Sequence, residues 1–211
     1  MHVLITGSNR GIGKALADGY AARGHDVTRT ARSGGDIRLD VSDPASCAAM
    51  AATLNGAPLD LLVCNAGIFL DKDETLTGYP ADMWAQTFAA NVTGVFLTIQ
   101  ALLPNLRATT GKIAIISSQL GSQERALGGS YIYRASKAAA LNLGRNMAVD
   151  LAPNGIAVGI YHPGWVRTEM GGDDAAISTK DSASGLIARF DALGPETTGC
   201  FENWDGRAHP M

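Results

Sequence analysis

Residues 1–13, Met1-His2-Val3-Leu4-Ile5-Thr6-Gly7-Ser8-Asn9-Arg10-Gly11-Ile12-Gly13, set how the rest of the chain is parsed. A short apolar run at 3–5 ends in a glycine-rich turn, and a helical pattern comes next over 13–23. Strand, glycine turn and helix in that order open a βαβ unit, in which turn backbone can approach a pyrophosphate at the helix amino end. Gly7, Gly11 and Gly13 have the spacing TGxxxGxG, a longer loop than GxGxxG that leaves the physics of close backbone approach unchanged. With Ser8, Asn9, Arg10 and Ile12 they form the candidate dinucleotide cradle. A glycine turn alone also serves as a plain strand-to-helix connection, so the choice between the two rests on the rest of the chain.

Beyond this turn, short apolar runs at 27–30, 37–39, 59–64, 112–117 and 156–161 are interleaved with long helical patterns at about 82–107 and 131–151. Strands separated by helix-length stretches predict parallel pairing. Turn chemistry falls between them, at Arg23-Gly24-His25-Asp26, Thr110-Gly111 and Pro153-Asn154-Gly155. The expected fold is α/β: a single-domain, Rossmann-type doubly wound parallel sheet over 1–211, with helices on both faces. No linker, repeat or low-complexity segment interrupts it. The Gly-, Asp-, Ser- and Ala-rich stretch 171–184 is the candidate mobile substrate loop, about 169–185, and its shortness predicts an open site.

Composition narrows the partners. The 211 residues suffice for one domain with a substantial core, and a net charge of −3 with 18% charged residues offers no basic field for nucleic acid or anionic lipid. A small-molecule ligand is expected. Cys47, Cys64 and Cys200 are odd in number and lack CxxC spacing, which argues against disulfides or structural zinc and for a cytoplasmic home. His2, His25, His162 and His209 are scattered, so no metal site is expected. The first strand follows Met1 without a signal peptide, and no apolar run approaches membrane-spanning length, so neither export nor membrane insertion is expected.

Two constellations carry chemistry. An acid at the end of the second strand would bind a free ribose 2′-hydroxyl, but the chain has Thr30-Ala31-Arg32 there. Arg32 and Arg10 are two cations able to clamp a 2′-phosphate, so NADP(H) is preferred and NAD(H) is the alternative. Asp40, closing the third strand, is placed to accept from an adenine amino group or to cap the next helix. In Tyr133-Arg134-Ala135-Ser136-Lys137, the phenol and ammonium lie four residues apart on one helix face, and the cation is expected to lower the phenol's pKa towards use near neutral pH. Tyr131 has Ala135, not lysine, four residues on.

Together with Asn65-Ala66-Gly67, Asn91, Ser117-Ser118 and Pro163-Gly164, these motifs make the chain resemble the short-chain dehydrogenase/reductase family over essentially its whole length. Gly121-Ser122, Gly128-Gly129, the segment from Tyr131 to Lys137, the run His162-Pro163-Gly164-Trp165-Val166-Arg167-Thr168-Glu169-Met170-Gly171-Gly172 and Phe201-Glu202-Asn203-Trp204-Asp205-Gly206 look like its C-factor and sniffer branch of carbonyl reductases. The resemblance implies a catalytic tetrad of Asn91, Ser118, Tyr133 and Lys137, with Ser117 the runner-up for the serine. Tyr133 would be the general acid, Ser118 would hold the substrate oxygen, Asn91 would position a relay water, and Lys137 would also bind the nicotinamide ribose. It further implies that Asn65, Ala66 and Gly67 line the adenosine and ribose, while Pro163, Gly164, Val166 and Thr168 meet the nicotinamide carboxamide and a phosphate.

The loop around Gln123 to Gly129 makes the Ser118 to Tyr133 spacing about two residues longer than the family commonly has, which bears on the substrate pocket. The stripe Trp84, Phe88, Val92, Val95, Phe96, Ile99 reads as core or subunit contact, and the resemblance implies a homodimer or homotetramer. Phe69, Leu70, Trp165 and Met170 suggest an apolar substrate body. The implied activity is NADP-dependent reduction of an aldehyde, ketone or quinone to an alcohol. A dinucleotide-binding redox-sensing or signalling protein of the same fold is the alternative.

Overall fold

The computed structural model describes residues 1–210. Its seven strands are β1 (His2–Thr6), β2 (Asp26–Ala31), β3 (Ile37–Arg38), β4 (Leu61–Cys64), β5 (Lys112–Ile116), β6 (Ala157–His162) and β7 (Phe201–Asn203). They form one sheet in the order β3-β2-β1-β4-β5-β6-β7, every pair parallel. Strand order reverses between β1 and β4, so a crevice opens there beyond the strands' carboxyl ends. The connecting helices are α1 (Gly11–Ala22), α2 (Pro44–Leu54), α3 (Ala81–Phe88), α4 (Gly94–Arg107), α5 (Tyr131–Leu151) and α6 (Thr179–Ala192).

The strands are apolar on both faces because both are covered, which is why their sequences run without alternation. On one face Leu4, Leu62, Ile113 and Ile115 meet Met50 of α2, Ile99, Leu102 and Leu106 of α4, and Ala148 of α5. On the other, Val3, Ile5, Val63 and Tyr161 meet Leu16 and Tyr20 of α1 and Leu186 and Phe190 of α6. Close packing at the α5 contact needs Gly144, where an added Cβ would lie 2.7 Å from Ile160 Cγ1.

Several expectations are revised. The helical pattern at 82–107 is divided by a π-helical stretch, Ala89–Thr93, that widens the helix at Asn91. This whole helical run, Ala81–Arg107, is long and apolar enough by length and composition to cross a membrane, contrary to the sequence expectation. Its apolarity has a packing role, since Val95, Ile99, Leu102 and Leu106 are buried in the core. Trp84 and Phe96 of the same stripe stay partly exposed. Asp40 does not cap α2; Asp43 does, accepting from Ala45 N at 2.9 Å, while Asp40 accepts from Ser42.

The expected substrate loop is shorter than 171–184, because α6 already begins at Thr179 under a Ser178 cap. The remainder is tied to itself: Arg167 N donates to Ile177 O at 2.9 Å, Trp165 Nε1 to Gly171 O at 2.8 Å, and Gly172 N to Thr168 O at 2.8 Å. Serine capping, an intramolecular feature of short polar sequence, disguised the start of α6 as loop.

Candidate active site

The cofactor half is built at the crevice. Gly7 and Gly11 hold φ values of +66° and +55°, the left-handed region that glycine occupies without strain. Gly13 lets α1 press onto the turn: a Cβ there would lie 2.5 Å from Asn65 Nδ2 and nearer still to Gly7 O. Asn65 holds this geometry, donating from Nδ2 to Thr6 O at 2.9 Å and Gly7 O at 3.1 Å. Thr6 Oγ1 in turn accepts from the N–H groups of Asn65 and Ala66 at 3.0 and 2.9 Å. Arg10 precedes α1 in extended conformation and no side chain caps the helix, so its first-turn N–H groups face the turn.

Ser8 is turned inward, its N–H and hydroxyl both donating to Thr30 O, and Asn9 Nδ2 reaches Ser33 O at 3.2 Å. Ile12 packs on the core beneath the turn. Arg10 is ion-paired with Glu169, across the mouth of the crevice, while the charge of Arg32 acts on Asp40 and, with the Ser42 hydrogen bonds leading, lowers that carboxyl's pKa. Thr168 lies over Gly11, its Cγ2 3.5 Å from where a Cβ would be. Val166 is buried and bridges to Ile177, Gly164 takes φ +88°, and Pro163 O accepts from Ser182 Oγ at 2.7 Å.

The reacting half gathers at the amino end of α5. Ser118 sits beside the Tyr133 phenol, which is nine-tenths buried, and its hydroxyl accepts from Leu120 N at 3.1 Å. Ser117 is excluded from that place, because its hydroxyl donates to Lys137 O at 2.9 Å. Lys137 Nζ is 5.6 Å from the centroid of the Tyr133 ring and donates to Ile116 O at 3.0 Å. Asn91 holds the chain after β4 at both polar atoms of one residue: Ile68 N donates to Oδ1 at 2.8 Å and Nδ2 donates to Ile68 O at 2.9 Å. Gly67 is the point of convergence, with an added Cβ 3.0 Å from Asn91 Oδ1 and 3.5 Å from Lys137 Nζ.

Burial dominates the electrostatics, so the phenol lies above its ordinary pKa where the sequence led to an expectation of a lowered one. Desolvation pushes Tyr133 up to about 12, opposed by the Ser118 hydrogen bond and reinforced by the charge of Asp71. Desolvation also brings Lys137 down to about 8. Both groups lose water on burial, so each shifts towards its neutral form. Sequence reasoning missed Asp71, fully buried with its carboxylate on the N–H groups of Ile132 and Tyr133. No spacing rule links it to a helix start about 60 residues away. Phe69, expected only as an apolar wall, stacks on Tyr133 at 4.1 Å between centroids. Leu70, Trp165 and Met170 are exposed at the rim, and no group of three or more potential metal ligands occurs among the described residues.

The chain belongs to the short-chain dehydrogenase family, whose model matches residues 1–177. That family is one of oxidoreductases. C-signal of Myxococcus xanthus is 38% identical over 170 residues, covering 77% of this chain and 98% of its own. Among solved structures, the carbonyl reductase Sniffer of Drosophila melanogaster superposes with a TM-score of 0.93 at 26% identity, covering 100% of this chain and 99% of its own. The NADPH-bound carbonyl reductase from chicken fatty liver gives 0.91 at 29%, covering 100% and 98%.

Proposed function

We propose that the protein is an NADPH-dependent carbonyl reductase that converts an aldehyde, ketone or quinone to an alcohol, with Tyr133 as proton donor. The observation that carries this reading is the buried Tyr133 phenol, with Ser118 beside it and Lys137 Nζ 5.6 Å from its ring centroid. The likeness to an NADPH-bound carbonyl reductase supports the cofactor. The fit of a dinucleotide rests on the positive-φ Gly7 and Gly11 and the uncapped amino end of α1, a turn whose shape depends on the absence of a side chain at Gly7 against Ala66 and at Gly13 against Gly7 O and Asn65. Gly7, Gly11, Gly13 and Thr168 would hold the phosphates, Arg32 and Arg10 the 2′-phosphate, and Gly67, Lys137 and Val166 the nicotinamide end. NADPH supplies the hydride that reduces the carbonyl carbon.

The residues act on the oxygen. Ser118 and Tyr133 both present hydroxyl hydrogens, so a carbonyl oxygen between them is polarised as charge develops. A phenol with a pKa near 12 is protonated at neutral pH, the form that reduction requires. Tyr133 Oη gives its proton to the oxygen as the C–O double bond becomes single. The phenolate left behind is stabilised by the nearby ammonium of Lys137, whose pKa of about 8 allows proton exchange with solvent near neutrality. Asn91, by fixing Ile68, holds the loop that closes this site.

The three free cysteines, two of them buried, fit a cytoplasmic home, and the exposed Trp84 and Phe96 fit a subunit contact in a homodimer or homotetramer. The likeness to C-signal favours one alternative, a signalling protein that binds the dinucleotide. Retention of the complete Tyr133, Lys137 and Ser118 set favours turnover. Oxidation of NADPH against a carbonyl panel, with Tyr133→Phe as control, separates the two.

A further inference from the structure

The segment that leaves β4 touches every part of the site. Asn65 fixes the glycine turn, Ile68 is held by Asn91, Phe69 stacks on the Tyr133 ring, and Asp71 reaches the backbone of the same tyrosine. Asp71 has no exposed surface. Its Oδ2 accepts from Ile132 N at 2.8 Å and its carboxylate accepts from Tyr133 N at 3.2 and 3.4 Å. These are amides of the first turn of α5, which have no partner inside the helix. The residue before the helix, Ser130, takes φ +46° and makes no side-chain cap, so the cap comes from a distant loop.

We infer that Asp71 is a positioning residue for Tyr133, fixing the start of α5 and with it the place of the phenol; this rests on the proton-donor reading above. Phe69 and Asp71 lie two residues apart and grip one residue at two points, the ring from its face and the backbone from its N–H. A shift of the loop therefore moves the phenol relative to Ser118, and a misplacement of about 1 Å at a reacting group can cost on the order of 100-fold in rate. The charge acts in a second way. A buried carboxylate disfavours a phenolate nearby, as it does here, while the Ser118 hydrogen bond from the end of β5 acts the opposite way and Lys137 lies on the same helix, one turn on. Asp71 thereby adds to the upward push that burial gives the phenol.

The test compares Asp71→Asn, which keeps an acceptor and removes the charge, with Asp71→Ala, which removes both. Protein labelled at the tyrosine ring carbon next to the hydroxyl is titrated by NMR, with the Tyr133 signal assigned by its loss in Tyr133→Phe. The expected result is that the Tyr133 transition begins at lower pH in Asp71→Asn than in the parent. For the carbonyl of an aldehyde, ketone and quinone panel that is reduced fastest, kcat in Asp71→Ala should fall on the order of 10- to 100-fold while the NADPH dissociation constant changes little. An unmoved Tyr133 titration in Asp71→Asn overturns the inference, as does a variant whose only change is a lower melting temperature. If Asp71→Ala does not fold, the titration of Asp71→Asn decides alone. Turnover that survives in Tyr133→Phe would instead sink the proton-donor reading and this inference with it.

Discussion

Replacing Gly13 by alanine tests whether the cofactor cradle is held by the contact of α1 with its own turn. A Cβ at this position would lie 2.5 Å from Asn65 Nδ2 and inside the contact distance of Gly7 O, and a backbone oxygen cannot rotate away. Overpacking of this kind costs about 1–3 kcal/mol, and loss of the Asn65 to Gly7 hydrogen bond adds about 1 kcal/mol. Alanine's better helix propensity returns about 1 kcal/mol. The net destabilisation is about 1–3 kcal/mol, a fall of roughly 3–10 °C in melting temperature for a chain of this size. Displacement of the turn should also weaken NADPH binding, read by fluorescence titration, by on the order of 10-fold or more, or about 1.4 kcal/mol. Gly11→Ala is the control: its nearest neighbour would be Thr168 Cγ2 at 3.5 Å, so only left-handed strain of about 1–2 kcal/mol remains. A Gly13→Ala protein that melts and binds NADPH like the parent would show that this contact does not hold the cradle.

Three other outcomes are expected. Leu102→Ala empties a fully buried position between α4 and the sheet and should lower stability by about 2–5 kcal/mol in denaturant melts, with no change in substrate preference. Arg32→Asp should move cofactor preference from NADPH towards NADH in steady-state kinetics, and an unchanged preference would remove Arg32 from the clamp. His162, buried beside His209, is held down to about 3 from 6.5, chiefly by desolvation. The unfolded chain therefore takes up this proton first, so stability should be lost progressively as pH falls from 6.5 towards 3. His162→Gln should flatten that acid loss in melts run between about pH 7 and 4.

The doubly wound sheet was legible because strands buried on both faces leave continuous apolar runs, and because Gly7, Gly11 and Gly13 mark where β1 turns into α1. Tyr133 and Lys137 were legible because helical spacing is local. Less was visible where a small polar residue had a tertiary role. The start of α6 under Ser178 read as loop, and Asp40 was weighed as a cap that Asp43 supplies. Asp71 carried no signal, since its partners are the amides of Ile132 and Tyr133, set beside it only by the fold. The direction of the Tyr133 shift was also out of reach. Sequence gives the neighbouring charge of Lys137, whereas desolvation depends on how completely the folded chain covers each group, as Phe69 does for the Tyr133 ring.

The reductase reading is tested most directly by the rate of NADPH oxidation with a panel of aldehydes, ketones and quinones, measured for the parent protein and for Tyr133→Phe. Turnover is expected with at least one carbonyl, and its loss in Tyr133→Phe with NADPH binding and folded structure retained. Turnover that persists in Tyr133→Phe would place the proton donor elsewhere and contradict the mechanism. NADPH binding without turnover of any carbonyl would count against the reductase and favour the signalling alternative.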